Sequence, residues 1–107
     1  MKNKFIEIKT TYKSLILAKK TCQKLLENKL VACAQISKIQ SFYIFDNKPE
    51  IQNEILVVLK TKKSLYHKIK KAIIQGHEYK VPQFISQNID DGSDSYLKWI
   101  ESSLKNK

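Results

Sequence analysis

The chain has 107 residues, 42% of them hydrophobic, which predicts one globular domain over residues 1–107 rather than a disordered segment. Its formal net charge is +10, and every basic side chain is lysine. Lysine cannot make the forked contact of arginine to guanine, so we expect no specific nucleic-acid partner. No stretch has the length of a membrane span, and charged residues interrupt the amino-terminal apolar pattern, so we expect a cytoplasmic protein without a membrane partner.

In the first third of the chain, the hydrophobic pattern changes from that of a strand to that of a helix. Residues 5–10 alternate apolar and polar, which predicts a strand. From Ser14 the apolar residues recur in steps of three and four, which predicts an amphipathic helix capped by Thr11 or Ser14. Asn28 is the expected left-handed residue at its end.

A long hairpin is predicted next. Residues 30–45 form a strand longer than usual, so we expect a bend or bulge near Ser37 and Lys38. The run Asp46-Asn47-Lys48-Pro49 is a strong turn signal, and the chain returns over residues 51–61. Within the returning strand, the apolar run Ile55–Leu59 predicts burial on both faces of the sheet.

The second half predicts a helix over residues 62–75 with Gly76 as its cap, a strand over residues 84–89 and a last helix that begins at Ser93 or Asp94. The order strand, helix, strand, strand, helix, strand is that of an α+β, ferredoxin-like β-α-β-β-α-β fold. The last helix is an addition to this fold.

The sequence offers few residues that could bind a metal or act as an acid–base pair. His77 precedes Glu78 and Tyr79, and a histidine beside a carboxylate fits either a metal ligand or an acid–base pair. The second histidine, His67, is expected to face solvent. Neither the histidines nor the two cysteines have metal-ligand spacing, so a preformed metal site is only weakly indicated.

Glu54 and Lys60 bracket the apolar run of the central strand. They share parity and therefore one face, but lie roughly 20 Å apart, too far to pair with each other. Surface charge at the ends of a strand is the plain interpretation. Tyr79, Tyr96 and Trp99 are aromatic residues that carry a hydroxyl or an indole N–H. Such residues pack at half-buried positions more often than they stack on ligands.

Five segments, in order and within a match from about residue 5 to residue 104, resemble the CutA family, the divalent cation tolerance proteins. The segments are Leu30–Ala34, Ser41–Lys48, Glu54 with Leu59–Thr61, His77–Pro82, and Gly92 with Tyr96–Trp99. The resemblance implies a ferredoxin-like protomer and a homotrimer built by strand pairing, with an architecture similar to the PII-type signalling proteins. It also implies a cytoplasmic location and a link to copper and other divalent cations. It implies no reaction.

The resemblance also suggests site residues. The family's copper ligands fall at Thr10, Gly76 and His77, of which only His77 can bind a metal, so copper binding is expected to be weakened. Five residues match positions that line a cleft between subunits in the family: Glu54, Lys60, Tyr79, Tyr96 and Trp99.

Three functions follow as alternatives. The first is a homotrimeric protein of divalent cation tolerance or response, with His77 at the metal site. The second is a trimeric, PII-like sensor or scaffold whose inter-subunit pocket binds a small anionic or zwitterionic ligand. The third is a hydrolase or isomerase that uses this pocket, and it ranks last because no nucleophile motif is present.

Overall fold

A computed structural model describes residues 4–105. Its elements are β1 (Phe5–Tyr12), α1 (Leu15–Glu27), β2 (Cys33–Phe45), β3 (Lys48–Lys62), a 3-10 turn (Lys63–Leu65), α2 (Tyr66–Ile74), β4 (Phe84–Asn88) and α3 (Asp94–Ser103). The four strands form one antiparallel sheet in the order β2-β3-β1-β4. The predicted α+β, ferredoxin-like fold with an added carboxyl-terminal helix is confirmed.

The ends of α1 show one correct and one wrong prediction. Ser14 caps the helix, because its hydroxyl accepts the backbone N–H of Leu17. The left-handed residue is Lys29, with φ 55°, and not Asn28, whose φ is −87°. The amides of Lys29 and Leu30 donate to the carbonyls of Leu26 and Leu25, and this paired motif stabilises the unfavourable backbone at Lys29.

The hairpin of β2 and β3 is regular along its whole length. Its register runs without a shift from the pair Cys33 and Lys60 to the pair Phe45 and Lys48, so the expected bulge near residues 37 and 38 is wrong. The turn residues Asp46 and Asn47 both have positive φ, 54° and 63°. A two-residue turn with positive φ at both positions matches the twist of the two strands that it joins.

One face of the sheet is covered by α1 and α2. Ile55, Val57 and Leu59 of β3 are buried there, with Ala18, Cys22 and Leu25 of α1 and Ile69 and Ile73 of α2 in the same core. The intervening Leu56 and Val58 are only half-buried. The prediction of a strand buried on both faces is therefore wrong for the single chain, and we call the second face the open face.

The last helix covers one end of the open face. The helix α3 begins at Asp94, one of the two predicted residues, with Ser93 as its cap, and it contacts β3. The Lys62 ammonium, 3.0 Å from Glu101 of α3, is buried at this end. No helix within residues 4–105 combines the length and hydropathy needed to cross a bilayer.

Candidate functional site

A first group of polar side chains lies on the open face about halfway along the hairpin. Glu54 accepts a hydrogen bond of 2.7 Å from the hydroxyl of Tyr79 and another of 2.7 Å from the hydroxyl of Ser41. The Gln52 amide lies 3.5 Å from the Tyr79 oxygen. We call these four residues the Glu54 cluster. Each carboxylate oxygen of Glu54 thus has a hydroxyl donor, which fixes its orientation.

The electrostatics of the Glu54 cluster favour binding over proton transfer. Burial raises the pKa of Tyr79 well above its ordinary value of 10.0, and the Glu54 carboxylate that accepts its hydrogen bond raises it further. A phenol with so high a pKa holds its proton at neutral pH and is a poor acid catalyst. A groove of about 570 Å³ adjoins Glu54 and is also lined by Lys13 and Lys38.

The residues His77 and Glu78 hold Tyr79 in place. The His77 ring stacks on Tyr12 with centroids 4.3 Å apart, and its Nδ1 accepts the backbone N–H of Tyr79 at 3.0 Å. Glu78 accepts the backbone amides of Lys13 and Ser14, where a carboxylate is favoured by the amino terminus of α1. The loop after α2 is thereby fastened to the β1–α1 junction, which presents Tyr79 to Glu54.

These contacts leave His77 poorly suited to hold copper. Its Nδ1 is already an acceptor, and its Nε2 is buried without a hydrogen-bond partner among the described residues. Burial lowers the pKa of His77, with partial compensation from the backbone of Thr11 and the Glu78 carboxylate. The ring is thus held neutral, but one nitrogen already accepts a hydrogen bond and the other is buried.

The other two positions of the family's ligand set do not supply what His77 lacks. Thr10 is fully buried, and Gly76, with φ 91°, has no side chain. Across residues 4–105 no group of three histidine, cysteine, aspartate or glutamate side chains is placed to hold a metal ion. The residues present therefore do not fit the copper site that the resemblance suggests.

A second group lies on the open face near the carboxyl-terminal end of β3, at the base of the hairpin. The Lys60 ammonium is 2.7 Å from the Gln35 side-chain oxygen and 3.8 Å from the Glu7 carboxylate. Cys33 is the partner of Lys60 in the strand register. We call these four residues the Lys60 cluster. Lys60 thus has polar partners within its own chain.

Tyr96 and Trp99 of α3 lie beside the Lys60 cluster. Burial raises the pKa of Tyr96, with further contributions from Cys33 and from the charge of Glu7. The rings of Tyr96 and Trp99 are 5.5 Å apart, and both side chains remain at least 40% exposed. Their exposed faces leave an aromatic surface at this end of the sheet.

The structure therefore divides the predicted site residues into two groups. Glu54 and Tyr79 are in contact, whereas Lys60, Tyr96 and Trp99 belong to the opposite end of the same face. The regular β3 register keeps the two ends roughly 20 Å apart.

Sequence reasoning missed Ser41, Gln35 and Glu7 as members of the two clusters. Each is a register partner of, or is diagonal to, a residue that it did identify. Only the strand register could have revealed these neighbours.

The architecture defines the chain as a ferredoxin-like α+β protein with an extended hairpin and a polar open face. A family model described as CutA1 divalent ion tolerance protein matches residues 6–103. The chain belongs to this family, which confirms the resemblance seen in the sequence, and its link to divalent-cation tolerance follows from this membership.

Relatives that match nearly the whole chain support this family assignment. A divalent-cation tolerance protein CutA of Pyrococcus horikoshii is 34% identical over 100 residues, covering 94% of this chain and 98% of the relative. The CutA1 structure of Shewanella sp. SIB1 has a TM-score of 0.92 at 32% identity and covers 99% of this chain and 100% of that one. The Archaeoglobus fulgidus CutA structure, described as periplasmic, has a TM-score of 0.90 at 29% identity, with coverage of 94% and 99%.

Proposed function

We propose that the chain forms a homotrimer whose functional site is a cleft between subunits on the open face. The single observation that carries this proposal is the Glu54 cluster, an ordered set of hydrogen bonds on a sheet face that no helix of residues 4–105 covers at that point. The half-buried Leu56 and Val58 lie on the same face. A partner surface over this face would bury apolar area and enclose the cluster.

The hairpin supports self-association. Its tip exposes Phe42, Ile44, Phe45 and Ile51 by 61% or more. β1 pairs with β3 only from Ile55 onward, so residues 48–54 of β3 have one unpaired edge within the described chain. Exposed strand edges and apolar patches of this kind mark interaction surfaces. The number three comes from the family resemblance.

A small anionic or zwitterionic molecule is the proposed ligand. In a closed trimer, the Lys60 cluster, Tyr96 and Trp99 of one subunit would complete the cleft that begins at Glu54 and Tyr79 of the next. Lysine would attract an anionic group, Glu54 would accept a donor or an ammonium, and the aromatic rings would contact the apolar part. This is the trimeric sensor or scaffold among the alternatives given by the sequence.

The relation to copper is proposed to be weak binding through His77, as part of a response to divalent cations. The engaged Nδ1 and buried Nε2 support weakness, since the loop must rearrange before either nitrogen binds a metal. We propose the cytoplasm as the compartment. Both cysteines are free, as is usual in a reducing environment.

A thermal-shift screen tests this function. The purified chain is melted with Cu²⁺, with inorganic phosphate, and with a panel of carboxylic and amino acids. A ligand present at 100 times its Kd stabilises the folded state by about 2.7 kcal/mol. We expect Tm to rise with an anion or zwitterion, and not to rise with Cu²⁺ at micromolar concentration. The reverse result would favour the metal function over the cleft.

A further inference from the structure

The net positive charge of residues 4–105 is concentrated on one surface. The helix layer, defined as residues 15–29 and 63–74, carries eight lysines and a single acidic residue, Glu27. The remainder of residues 4–105 carries ten lysines and nine acidic residues. Most of the net positive charge of the described chain therefore lies on the outer side of α1 and α2. The eight lysines are Lys19, Lys20, Lys24, Lys29, Lys63, Lys68, Lys70 and Lys71.

Among the described residues, these eight side chains have no acidic partner, unlike four of the other lysines. All eight are exposed, and within the part of the chain that the structure describes none lies within 4.0 Å of a carboxylate. By contrast, Lys4, Lys9, Lys60 and Lys62 each pair with Glu7 or Glu101. The helix layer thus presents charge that no ion pair among the described residues neutralises, although Glu27 lines the same groove as Lys20 and Lys24.

The arrangement has an electrostatic cost within the fold. Lys20 and Lys24 are four residues apart on α1, and Lys68 and Lys71 are three apart on α2, spacings at which like charges repel. Lys20 and Lys24 also line a groove of about 800 Å³ between the two helices, which reaches Ala72 and Gly76. An anionic partner in this groove would relieve the repulsion.

We propose that the helix layer docks the phosphate backbone of double-stranded nucleic acid, without reading its sequence. Lysine contributes phosphate contacts and counterion release, which supply affinity but no base recognition. The exposed apolar residues of the layer, Ile16, Leu26 and Ile74, stand singly near helix ends. They do not form the continuous apolar stripe by which helices enter a membrane surface, which favours a nucleic acid over a lipid bilayer. The proposed trimer uses the opposite face and leaves this layer outside.

Fluorescence anisotropy with a mixed-sequence DNA duplex of about 20 base pairs tests the proposal over a range of salt concentrations. The test variant combines Lys20→Gln, Lys24→Gln, Lys68→Gln and Lys71→Gln. The matched control combines Lys38→Gln, Lys80→Gln, Lys98→Gln and Lys105→Gln, which are also exposed and remove the same charge. Melting curves establish that both variants fold, and the test variant should melt no lower than the parent because it loses like-charge repulsion.

The parent should bind at about 50 mM salt and lose its affinity as salt rises. The test variant should lose at least about tenfold in affinity, with the slope of log K against log salt less steep by roughly 3.6, since each of the four lost phosphate contacts removes about 0.9. The control should stay within about threefold of the parent. Equal losses in both variants, no binding at low salt, strong sequence preference, or binding to phosphatidylserine vesicles without binding to the duplex would each overturn the proposal.

Discussion

The phenol of Tyr79 donates a hydrogen bond of 2.7 Å to the carboxylate of Glu54, 25 residues earlier in the chain. This bond joins the loop between α2 and β4 to the open face of β3. Two contacts of His77 orient this loop. His77 accepts the backbone amide of Tyr79 and stacks on Tyr12. A motif that resembles a metal or acid–base site in the sequence thus acts in the structure to position a tyrosine.

Replacing Tyr79 by phenylalanine should lower the free energy of unfolding by about 1 kcal/mol at neutral pH, because a half-exposed hydrogen bond to a carboxylate is lost. Urea denaturation measures this. Tyr43→Phe is the control, since the Tyr43 hydroxyl donates to the neutral Gln52 oxygen at an exposed position and should matter less. Equal effects of the two changes would show that Glu54 confers no special strength on the Tyr79 bond.

The same tyrosine should make the parent sensitive to alkali. The folded pKa of Tyr79 is raised above its ordinary value of 10.0, so above that pH the folded chain binds more protons than the unfolded chain. Stability therefore falls as pH rises beyond 10, and the fall should be smaller in Tyr79→Phe. Melting temperatures at closely spaced alkaline pH values provide the measurement, and identical slopes for parent and variant would contradict it.

His77 should contribute a loss of stability in mild acid. Burial lowers its folded pKa below the ordinary value of 6.5, so the unfolded chain binds more protons between these two values. Stability then falls as pH drops from 6.5 towards the folded pKa. Melting temperatures from about pH 7 to about pH 5 should show this fall in the parent and in His67→Gln, whose histidine is exposed, but much less in His77→Gln. A fall that follows His67 instead would refute the assignment.

Copper binding should be weak. Calorimetry with Cu²⁺ on the parent is expected to show no tight stoichiometric site, because a single engaged imidazole offers few donors even to the metal that tops the divalent affinity order. His77→Ala should weaken the remaining binding further. Tight binding that survives His77→Ala would place a metal site elsewhere in the chain.

The order and type of the elements could be predicted because hydrophobic period and turn chemistry are local properties. Ser14 as a cap and Asp46-Asn47 as a turn follow from side chains and neighbours along the chain. Lys29 could not be predicted in the same way, because its left-handed backbone is stabilised by two hydrogen bonds that close only around the finished helix end.

The candidate site was predictable only in part, because its neighbours are set by pairing between distant strands. The sequence indicated Glu54 and Tyr79 separately, but the contact between them depends on where the loop after α2 is fastened. Glu7 and Gln35 reach Lys60 through the registers of β1 and β2 with β3. The half-buried state of Leu56 and Val58 likewise depends on which face the helices cover, and the apolar run alone does not encode this.

Lys60→Met should leave assembly intact but abolish the thermal stabilisation by whichever anion of the panel raises Tm in the parent. The lysine already has Gln35 and Glu7 as partners in its own chain, so no contact between subunits is needed to hold it. Tyr79→Phe should reduce the ligand-induced shift less, since it keeps the ring. Dissociation of the ligand-free assembly by Lys60→Met would make the lysine an interface residue and exclude the pocket role.

Multi-angle light scattering of the purified chain at micromolar concentration shows whether a cleft between subunits can form. We expect a single species with about three times the 12.5 kDa mass of the chain. A monodisperse monomer would contradict it, because the open face would then have no second subunit to complete the cleft.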